Sequence, residues 1–241
     1  MHSTLAEAPL LNEADVRRTL LVVWQDPADR RFQTVAQLDQ LDDGRFLFKY
    51  LDGANAERFF PLDEFPELDR TYVSSTLPVF FANRVMSSER PSYGEYLTWL
   101  GLDGTPTADI PVEVLARTGG GRATDTFHLV DSPTRGERHF ESRFFVSGLR
   151  YAPHGIERAA TLNSGDRLSL VPEPNNPKNA RAVIVSASDK QQIGWVPDWL
   201  CEEVSRLSEE GWDIEAVAER VNPDAPAHTR VLCALVARLD R

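Results

Sequence analysis

The chain has 241 residues, of which 41% are hydrophobic, and its formal net charge is −11. That length is enough for one large domain or two modest ones, each with a buried core. The negative charge excludes a protein that coats nucleic acid or anionic membrane indiscriminately. Cys201 and Cys233 are the only cysteines, and no apolar run approaches the length that spans a bilayer. We therefore expect a cytoplasmic protein with two buried thiols, a disulfide between them being the alternative.

The first part of the chain predicts a leader followed by antiparallel strands. Residues 1–18 are expected to form the leader, disordered over 1–10 and with a helical turn over 12–18. An apolar run at 19–24 and alternating residues at 32–38 and 46–50 follow, separated by turn formers such as Asp42-Asp43-Gly44. They predict the strands of an antiparallel meander at 19–24, 32–38 and 46–50.

Short helices and further strands are expected before a linker. Helices are predicted over 77–85 and 93–100, and strands over 112–116 and 126–130. Residues 131–137 combine turn formers with charges and lack periodicity, which is typical of a linker. The predicted organisation is a leader, an N-terminal domain, a linker and a C-terminal domain at 1–18, 19–131, 132–140 and 141–241.

The C-terminal part predicts a small β domain. Runs of β type at 167–171 and 182–185 enclose a polar block rich in Asn and Pro. Asp198 is the expected N-cap of a helix that ends at Gly211. Two more strands are predicted at 214–221 and 230–239. The fold class predicted for the chain is α+β, mainly β, with a C-terminal OB-like small β-barrel of the oligonucleotide-binding type after the antiparallel meander with short helices.

Four motifs occur in order through this C-terminal part. They are Phe-Val-Ser-Gly-Leu-Arg-Tyr at 145–151, Gly-Asp at 165–166, Glu-Pro-Asn-Asn-Pro at 173–177 and Ile-Gly-Trp-Val-Pro at 193–197. In order and spacing they resemble the HIRAN domain, a small module found at the N-terminus of some DNA-remodelling helicases and as free-standing or fused copies in bacteria. The resemblance implies a pocket for the 3′ end of single-stranded DNA.

The resemblance also implies which side chains line that pocket. The family's Arg-Tyr pair corresponds to Arg150 and Tyr151, and its loop Asn corresponds to Asn176. A Tyr can stack a terminal base and an Arg can pair with a phosphate. Asn176 can hydrogen-bond a sugar hydroxyl. The alternative is that Tyr151 packs on the barrel and Arg150 forms a surface ion pair.

The pocket departs from the DNA-binding members at several positions. Lys178 and Asn179 stand where those members carry Tyr and Asp, so Lys178 can contact phosphate and Asn179 keeps an acceptor oxygen without the charge. Trp195 replaces a His of some members and either stacks a base or lies buried in a strand. Asp198 replaces a Lys and repels phosphate. These changes predict weaker end recognition with retained single-strand binding.

A second resemblance concerns the N-terminal domain. Residues 80–86 read Phe-Phe-Ala-Asn-Arg-Val-Met and are followed by an aromatic segment at 93–102. They resemble part of the N-terminal subdomain that precedes the kinase core in HipA-type toxins. The kinase core has no counterpart in the sequence, so the resemblance implies no kinase activity.

No pattern in the sequence predicts catalysis, a metal or a cofactor. The histidines lack a neighbouring nucleophile turn, and the carboxylates lack the spacing of a two-metal site. Residues 119–125 resemble a phosphate loop only superficially, because the Gly-Lys-Ser/Thr ending is missing. We expect a plain loop there, with phosphate contacts from Arg117 and Arg122 as a minor hypothesis.

The charge distribution and the resemblance together predict the function. Residues 141–200 hold seven Lys/Arg and six Asp/Glu, whereas 201–220 hold two Arg and seven Asp/Glu, which fits a focused contact with a strand end. We expect a non-enzymatic accessory protein that binds single-stranded DNA or 3′ ends in DNA repair or processing. The alternative is a protein-interaction module that docks on a helicase, nuclease or toxin. The predicted DNA contacts are Arg150, Tyr151, Asn176, Lys178, Asn179 and Trp195.

Overall fold

A computed structural model describes residues 16–122 and 125–239. The predicted leader at 1–10 lies outside these residues, and the predicted helical turn at 12–18 is wrong for residues 16–18, which belong to a strand. The described chain divides into two compact units. Unit 1 comprises the residues up to Tyr93 and Gly104–Ser132, and unit 2 comprises Gly94–Asp103 and the residues from Pro133 onward. Within the described ranges, no helix is long and apolar enough to cross a bilayer.

Unit 1 is built on an antiparallel sheet with an aromatic core. Its strands are β1 (Val16–Gln25), β2 (Phe32–Leu41), β3 (Phe46–Tyr50), β4 (Tyr72–Ser74) and β5 (Phe127–Asp131). The strand order is β4-β3-β2-β1-β5, which confirms the predicted meander. Phe48 lies at the centre of the core and stacks on Phe65, with 3.9 Å between the ring centroids.

The helices of this part of the chain are α1 (Val79–Ala82), α2 (Tyr93–Leu100) and α3 (Ile110–Thr118). The predicted bounds of α2 are confirmed, whereas α1 covers only four residues of the predicted 77–85. The strand predicted at 112–116 is wrong, because these residues lie within α3. Pro111 suits the first turn of a helix, and the left-handed Gly119 (φ 73°) ends it.

Unit 2 contains the other antiparallel sheet and two helices. Its strands are β6 (Thr134–Arg135), β7 (His139–Phe145), β8 (Arg167–Pro172), β9 (Val183–Ser186), β10 (Gln192–Trp195), β11 (Asp213–Val221) and β12 (Val231–Arg238), and its helices are α4 (Gly155–Ala159) and α5 (Asp198–Glu209). The strand order is β10-β9-β8-β11-β12-β7-β6. Strand β6 pairs with β7, so the residues predicted as a linker contain part of a hairpin. The predicted α+β, mainly β class is confirmed.

The ends of this sheet meet at one point. Ser147, just after β7, forms an isolated antiparallel bridge with Trp195 of β10. Among the described residues, this single bridge is the only pairing between the two ends of the sheet. The predicted OB-like barrel is therefore not confirmed. Helix α5 packs on the core through the predicted apolar face. Its N-cap is Pro197, whereas Asp198, the predicted cap, is the first helical residue.

Residues 94–103 belong to unit 2 through the end of β11. Asn222 Nδ2 donates a hydrogen bond to the carbonyl oxygen of Trp99 at 2.7 Å, and Arg220 Nη1 donates one to that of Thr98 at 2.8 Å. Carbonyl groups at the end of a helix lack partners within the helix, so both donors satisfy groups that α2 leaves open. Unit 2 therefore includes a segment that sequence patterns placed in the N-terminal domain.

Candidate nucleic-acid interface

The candidate interface begins where the chain leaves β7. The backbone N–H of Ser147 donates to the carbonyl oxygen of Trp195 at 2.8 Å, and the reverse bond measures 2.9 Å. Gly148 follows with φ +70°, and a Cβ atom there would lie 2.7 Å from Cε3 of Trp195. Only a glycine lets the backbone pass so close to the indole ring in this conformation. The bridge and the ring together fix the start of the segment that carries Arg150 and Tyr151.

The Asn-Pro turn between β8 and β9 is held by the side chain of Asn176. Its Oδ1 accepts hydrogen bonds from the backbone N–H groups of Lys178 at 2.9 Å and Asn179 at 3.2 Å. This is the way an Asn side chain stabilises a turn in place of a backbone carbonyl. Its Nδ2 donates to Glu173 Oε2 at 2.7 Å. Asn176 therefore shapes the turn, and its polar atoms already have partners.

Glu173 connects this turn to β10, and sequence reasoning did not include it among the site residues. The Nε1 of Trp195 donates to the same Oε2 atom of Glu173 at 2.8 Å. The hydrogen bonds from Asn176 and then from Trp195 lower the pKa of the Glu173 carboxyl, because both donors stabilise its charged form. The sequence signal that points to Glu173 is its place as the first residue of the Glu-Pro-Asn-Asn-Pro block.

Asn179 fixes the other end of the turn. Its Oδ1 accepts a hydrogen bond from the backbone N–H of Arg181 at 2.9 Å, and its Nδ2 donates to Asp198 Oδ1 at 3.1 Å. Asp198, the first residue of α5, therefore links the turn to the start of that helix. The oxygen of Asn179 retains a second lone pair that can accept another hydrogen bond.

Tyr151 and Lys178 face solvent beside this scaffold. The Tyr151 residue is 79% exposed, and Lys178 Nζ lies 5.4 Å from the centroid of its ring. That distance is within the range of a cation–π contact. The alternative in which Tyr151 packs on the barrel is wrong. An exposed ring next to an ammonium group offers a stacking surface and a positive charge at one place.

Arg150 is exposed as well and lies near His228. The pKa of His228 is lowered, first by burial and then by the positive charge of Arg150. Within residues 16–122 and 125–239, neither Arg150 nor Lys178 forms an ion pair with a carboxylate. Both cations therefore remain available to an anionic ligand.

The structure thus divides the six residues predicted to contact DNA into exposed residues and residues that hold the scaffold. Tyr151 and Lys178 meet at the surface, and Arg150 is exposed but makes no described contact with the other five. The remaining side chains hold the turn and the strand in place through Glu173 and Asp198; they are Asn176, Asn179 and Trp195.

The two cysteines lie in unit 2. Both are free and buried, which confirms the prediction of two buried thiols. Burial raises the pKa of Cys201 to about 12 and also raises that of Cys233, so neither thiol ionises readily. In the part of the chain that the structure describes, no group of three or more His, Cys, Asp or Glu residues is placed to hold a metal ion.

Comparison with known proteins places the interface in a family. A family model for the HIRAN domain matches residues 139–240. The chain carries a HIRAN domain. The crystal structure of the HIRAN domain of human HLTF is 20% identical in sequence, covering 40% of this chain and 74% of that chain with a TM-score of 0.34. A crystal structure of a protein from Lactobacillus plantarum is 16% identical, covering 42% of this chain and 90% of that chain with a TM-score of 0.35.

A search of curated proteins found no match. The family match lies within the described part of unit 2 and its immediate end, so it covers all six predicted contact residues. It does not reach the segment that resembles the HipA-type toxins, and that resemblance stays a prediction.

Proposed function

We propose that the HIRAN domain of this chain binds single-stranded DNA without catalysing a reaction, and that it serves the repair or processing of DNA. The observation that carries the proposal is the exposed ring of Tyr151 with the ammonium group of Lys178 beside it. Nucleic-acid bases stack on such rings whatever their sequence, which contributes about 1–3 kcal/mol per base. Binding of this kind needs no metal and no nucleophile.

Arg150 and Lys178, which form no ion pair within the described ranges, support contacts with the DNA backbone. Arg150 has a planar guanidinium group that can donate two parallel hydrogen bonds to one phosphate. Lys178 can reach a neighbouring phosphate as a point charge while a base stacks on the free face of Tyr151. Glu173 and Asp198 place negative charge close to the same turn, so the footprint extends over a few nucleotides at most. A short footprint also agrees with the net charge of −11.

The finer part of the proposal is that the pocket receives a 3′ strand end. The second lone pair of Asn179 Oδ1 can accept a hydrogen bond from a terminal 3′-hydroxyl. The turn around Asn176 holds this oxygen in place through two backbone hydrogen bonds. A neutral amide oxygen is a weaker acceptor than a carboxylate, so we expect a modest preference for the end over an internal segment.

Fluorescence anisotropy at low salt tests both parts. The full chain is titrated into labelled single strands that end in a 3′-hydroxyl or a 3′-phosphate, and into a duplex with blocked ends. We expect the free hydroxyl to bind best and the blocked duplex to bind least. Equal binding of both single strands would show that the domain binds single strands without recognising the 3′ end. No binding of any strand would refute the proposal.

The double variant Arg150→Ala/Tyr151→Ala tests the assigned residues. Both side chains are exposed, so the free energy of unfolding should change by less than about 0.5 kcal/mol. We expect strand affinity to fall by about tenfold or more, because stacking and a phosphate contact are lost together. A double variant that binds as tightly as the wild type would show that the pocket lies elsewhere.

A further inference from the structure

Four residues at the ends of neighbouring strands form a row across the sheet of unit 2. The N–H of Asn222, just after β11, donates to the carbonyl oxygen of Arg230, just before β12, at 2.8 Å. The register of β12 with β7 places Arg230 opposite Ser147, which in turn bridges to Trp195. Neighbouring strands lie about 4.8 Å apart, so the Cα atoms of Arg230 and Trp195 are about 10 Å apart. Directly opposite residues carry their side chains on one face, so Arg230 emerges on the face that holds Trp195.

The guanidinium group of Arg230 is held on one side and open on the other. Its Nε donates a hydrogen bond to the carbonyl oxygen of Ala225 at 2.9 Å, within the connection between β11 and β12. Its two Nη groups form no hydrogen bond or ion pair with residues 16–122 and 125–239, and the residue is partly exposed. Nη groups in one plane can donate two parallel hydrogen bonds to a phosphate. An arginine fixed in this way loses less side-chain freedom when it binds an anion.

Arg150 adjoins both Tyr151 and this connection. It directly precedes Tyr151 in the chain and comes shortly after Ser147, which lies opposite Arg230. Burial and then the positive charge of Arg150 lower the pKa of His228, which belongs to the same connection as Arg230. A charge has this effect only at short range, so Arg150 lies beside the connection.

The connection carries a positive charge, in contrast to the chain as a whole. From Arg220 to Arg230, the sequence contains one carboxylate, that of Asp224. Neither of the two arginines forms an ion pair in the part of the chain that the structure describes. The preceding acidic residue, Glu219, pairs with Arg143 at 2.7 Å. The local charge therefore favours an anionic ligand such as a phosphate.

We propose that Arg230 binds an internal backbone phosphate of the single strand whose base stacks on Tyr151. The strand runs from Tyr151 past Arg150 to the connection between β11 and β12, so the domain holds more than a terminal nucleotide. The contact is with the backbone and is therefore the same for every base sequence. This inference rests on the proposed function and adds a phosphate site that the four sequence motifs do not contain.

Methylphosphonate links, each of which removes the charge of one phosphate, test the proposal with the full chain. Fluorescence anisotropy at low salt compares labelled single strands of about ten nucleotides, each with one such link at a different distance from the free 3′-hydroxyl. We expect links at particular positions to weaken binding to the wild type. In Arg230→Gln the loss at one of these positions should disappear, because that phosphate no longer has its partner. Identical losses in the variant and the wild type at every position would overturn the proposal.

Three variants separate a phosphate contact from a change in the connection itself. Arg230→Gln should weaken binding of the unmodified strand by about tenfold and reduce the slope of log affinity against log salt concentration by about 0.7, the value for one phosphate of a single strand. Arg230→Lys keeps the charge and should keep the slope, with an intermediate affinity. Lys190→Gln removes a lysine from the exposed turn before β10, at the end of that strand opposite Trp195, and should change neither quantity.

The outcomes distinguish this inference from the proposed function. A wild type that binds no strand refutes both. If the wild type binds through Tyr151 but Arg230→Gln has the same affinity and salt slope, only the phosphate site is refuted. Loss of affinity in both Arg230 variants with an unchanged slope would assign Arg230 a purely structural role and overturn the proposal. Equal changes in Arg230→Gln and Lys190→Gln would overturn it as well, because they would show a general effect of charge.

Discussion

Two cation–aromatic pairs in this molecule have opposite surroundings. In unit 1 the guanidinium carbon of Arg84 lies 4.1 Å from the ring centroid of Phe80, and the Arg84 side chain is only 2% exposed. In unit 2 the ammonium group of Lys178 lies 5.4 Å from the ring centroid of Tyr151, which is 79% exposed. Arg84 also forms an ion pair with Asp125 at 2.6 Å, whereas Lys178 has no carboxylate partner in the described chain.

The contrast separates a structural role from a binding role. The guanidinium group of Arg84 donates hydrogen bonds within unit 1, to Asp125 and to the carbonyl oxygen of Gly120. The glycine segment that superficially resembles a phosphate loop thus holds a buried arginine. It also follows α3, whereas a phosphate loop precedes its helix. Among the described residues, the side chains of Tyr151 and Lys178 contact each other but form no ion pair, so both remain available to a ligand. A cation beside an aromatic ring therefore has a structural role in unit 1 and a proposed binding role in unit 2.

The largest expected effect comes from breaking the pair in unit 1. Arg84→Ala leaves Asp125, which is mostly shielded, without its partner and removes the hydrogen bond to Gly120. We expect the free energy of unfolding to fall by about 3 kcal/mol, because a buried side chain loses its contact with Phe80 together with its ion pair and its hydrogen bond. Chemical denaturation measures this change. The control Arg70→Ala removes an exposed arginine that lies over the Tyr72 ring and should cost less than about 1 kcal/mol. Similar losses in both variants would contradict the structural role of Arg84.

A smaller effect is expected from Gly148→Ala in unit 2. The added Cβ atom would lie 2.7 Å from Trp195 Cε3, so the ring must shift and weaken its hydrogen bond to Glu173. We expect a loss of about 2–3 kcal/mol in stability, of which about 1 kcal/mol is the cost of the left-handed backbone. Strand affinity should fall as well, since the segment that carries Tyr151 moves.

Gly211→Ala is the matched control for this variant. Gly211 has φ +80°, and a Cβ atom there would have nothing within 4 Å. Gly211→Ala should therefore lose only the stability that the left-handed backbone costs, and it should leave strand affinity unchanged. If denaturation and anisotropy give the same values for both variants, the indole ring does not position the loop.

The smallest effect is a pH dependence of the Asn-Pro turn. The folded pKa of Glu173 is lowered below its ordinary value of 4.5, so its stabilising contribution is complete above that value and is lost as the pH falls through the lower folded pKa. The indole N–H signal of Trp195 in an NMR titration reports this loss. We expect a transition below 4.5 in the wild type and no such transition in Glu173→Gln. A wild-type midpoint at or above 4.5 would contradict the hydrogen bonds from Asn176 and Trp195.

Local patterns predicted much of the fold. The alternation of Phe46, Phe48 and Tyr50 gave the bounds of β3, and the apolar face at Leu200, Val204 and Leu207 gave α5. Residues 112–116 were assigned to a strand because a short apolar run fits either element. The start at Pro111 and the end at Gly119 decide in favour of a helix, and both lie just outside the run.

The sequence predicted which residues form the candidate site, but not which of them hold the turn and which face a ligand. The motifs located Tyr151 and Lys178, yet no local pattern indicates that Glu173 accepts hydrogen bonds from both Asn176 and Trp195. That arrangement joins the residue after β8, a turn residue and the last residue of β10, and it depends on how β8 and β10 are placed about β9.

The central claim is that exposure beside the ammonium group of Lys178 makes Tyr151 a binding residue, and two exposed aromatic residues test it directly. Tyr151 is 79% exposed in unit 2, and Phe60 is 80% exposed in unit 1. Fluorescence anisotropy with a labelled single strand at low salt compares the wild type with Tyr151→Ala and Phe60→Ala. We predict that Tyr151→Ala weakens binding by about tenfold and that Phe60→Ala leaves it unchanged. Equal affinities for Tyr151→Ala and the wild type would contradict the claim.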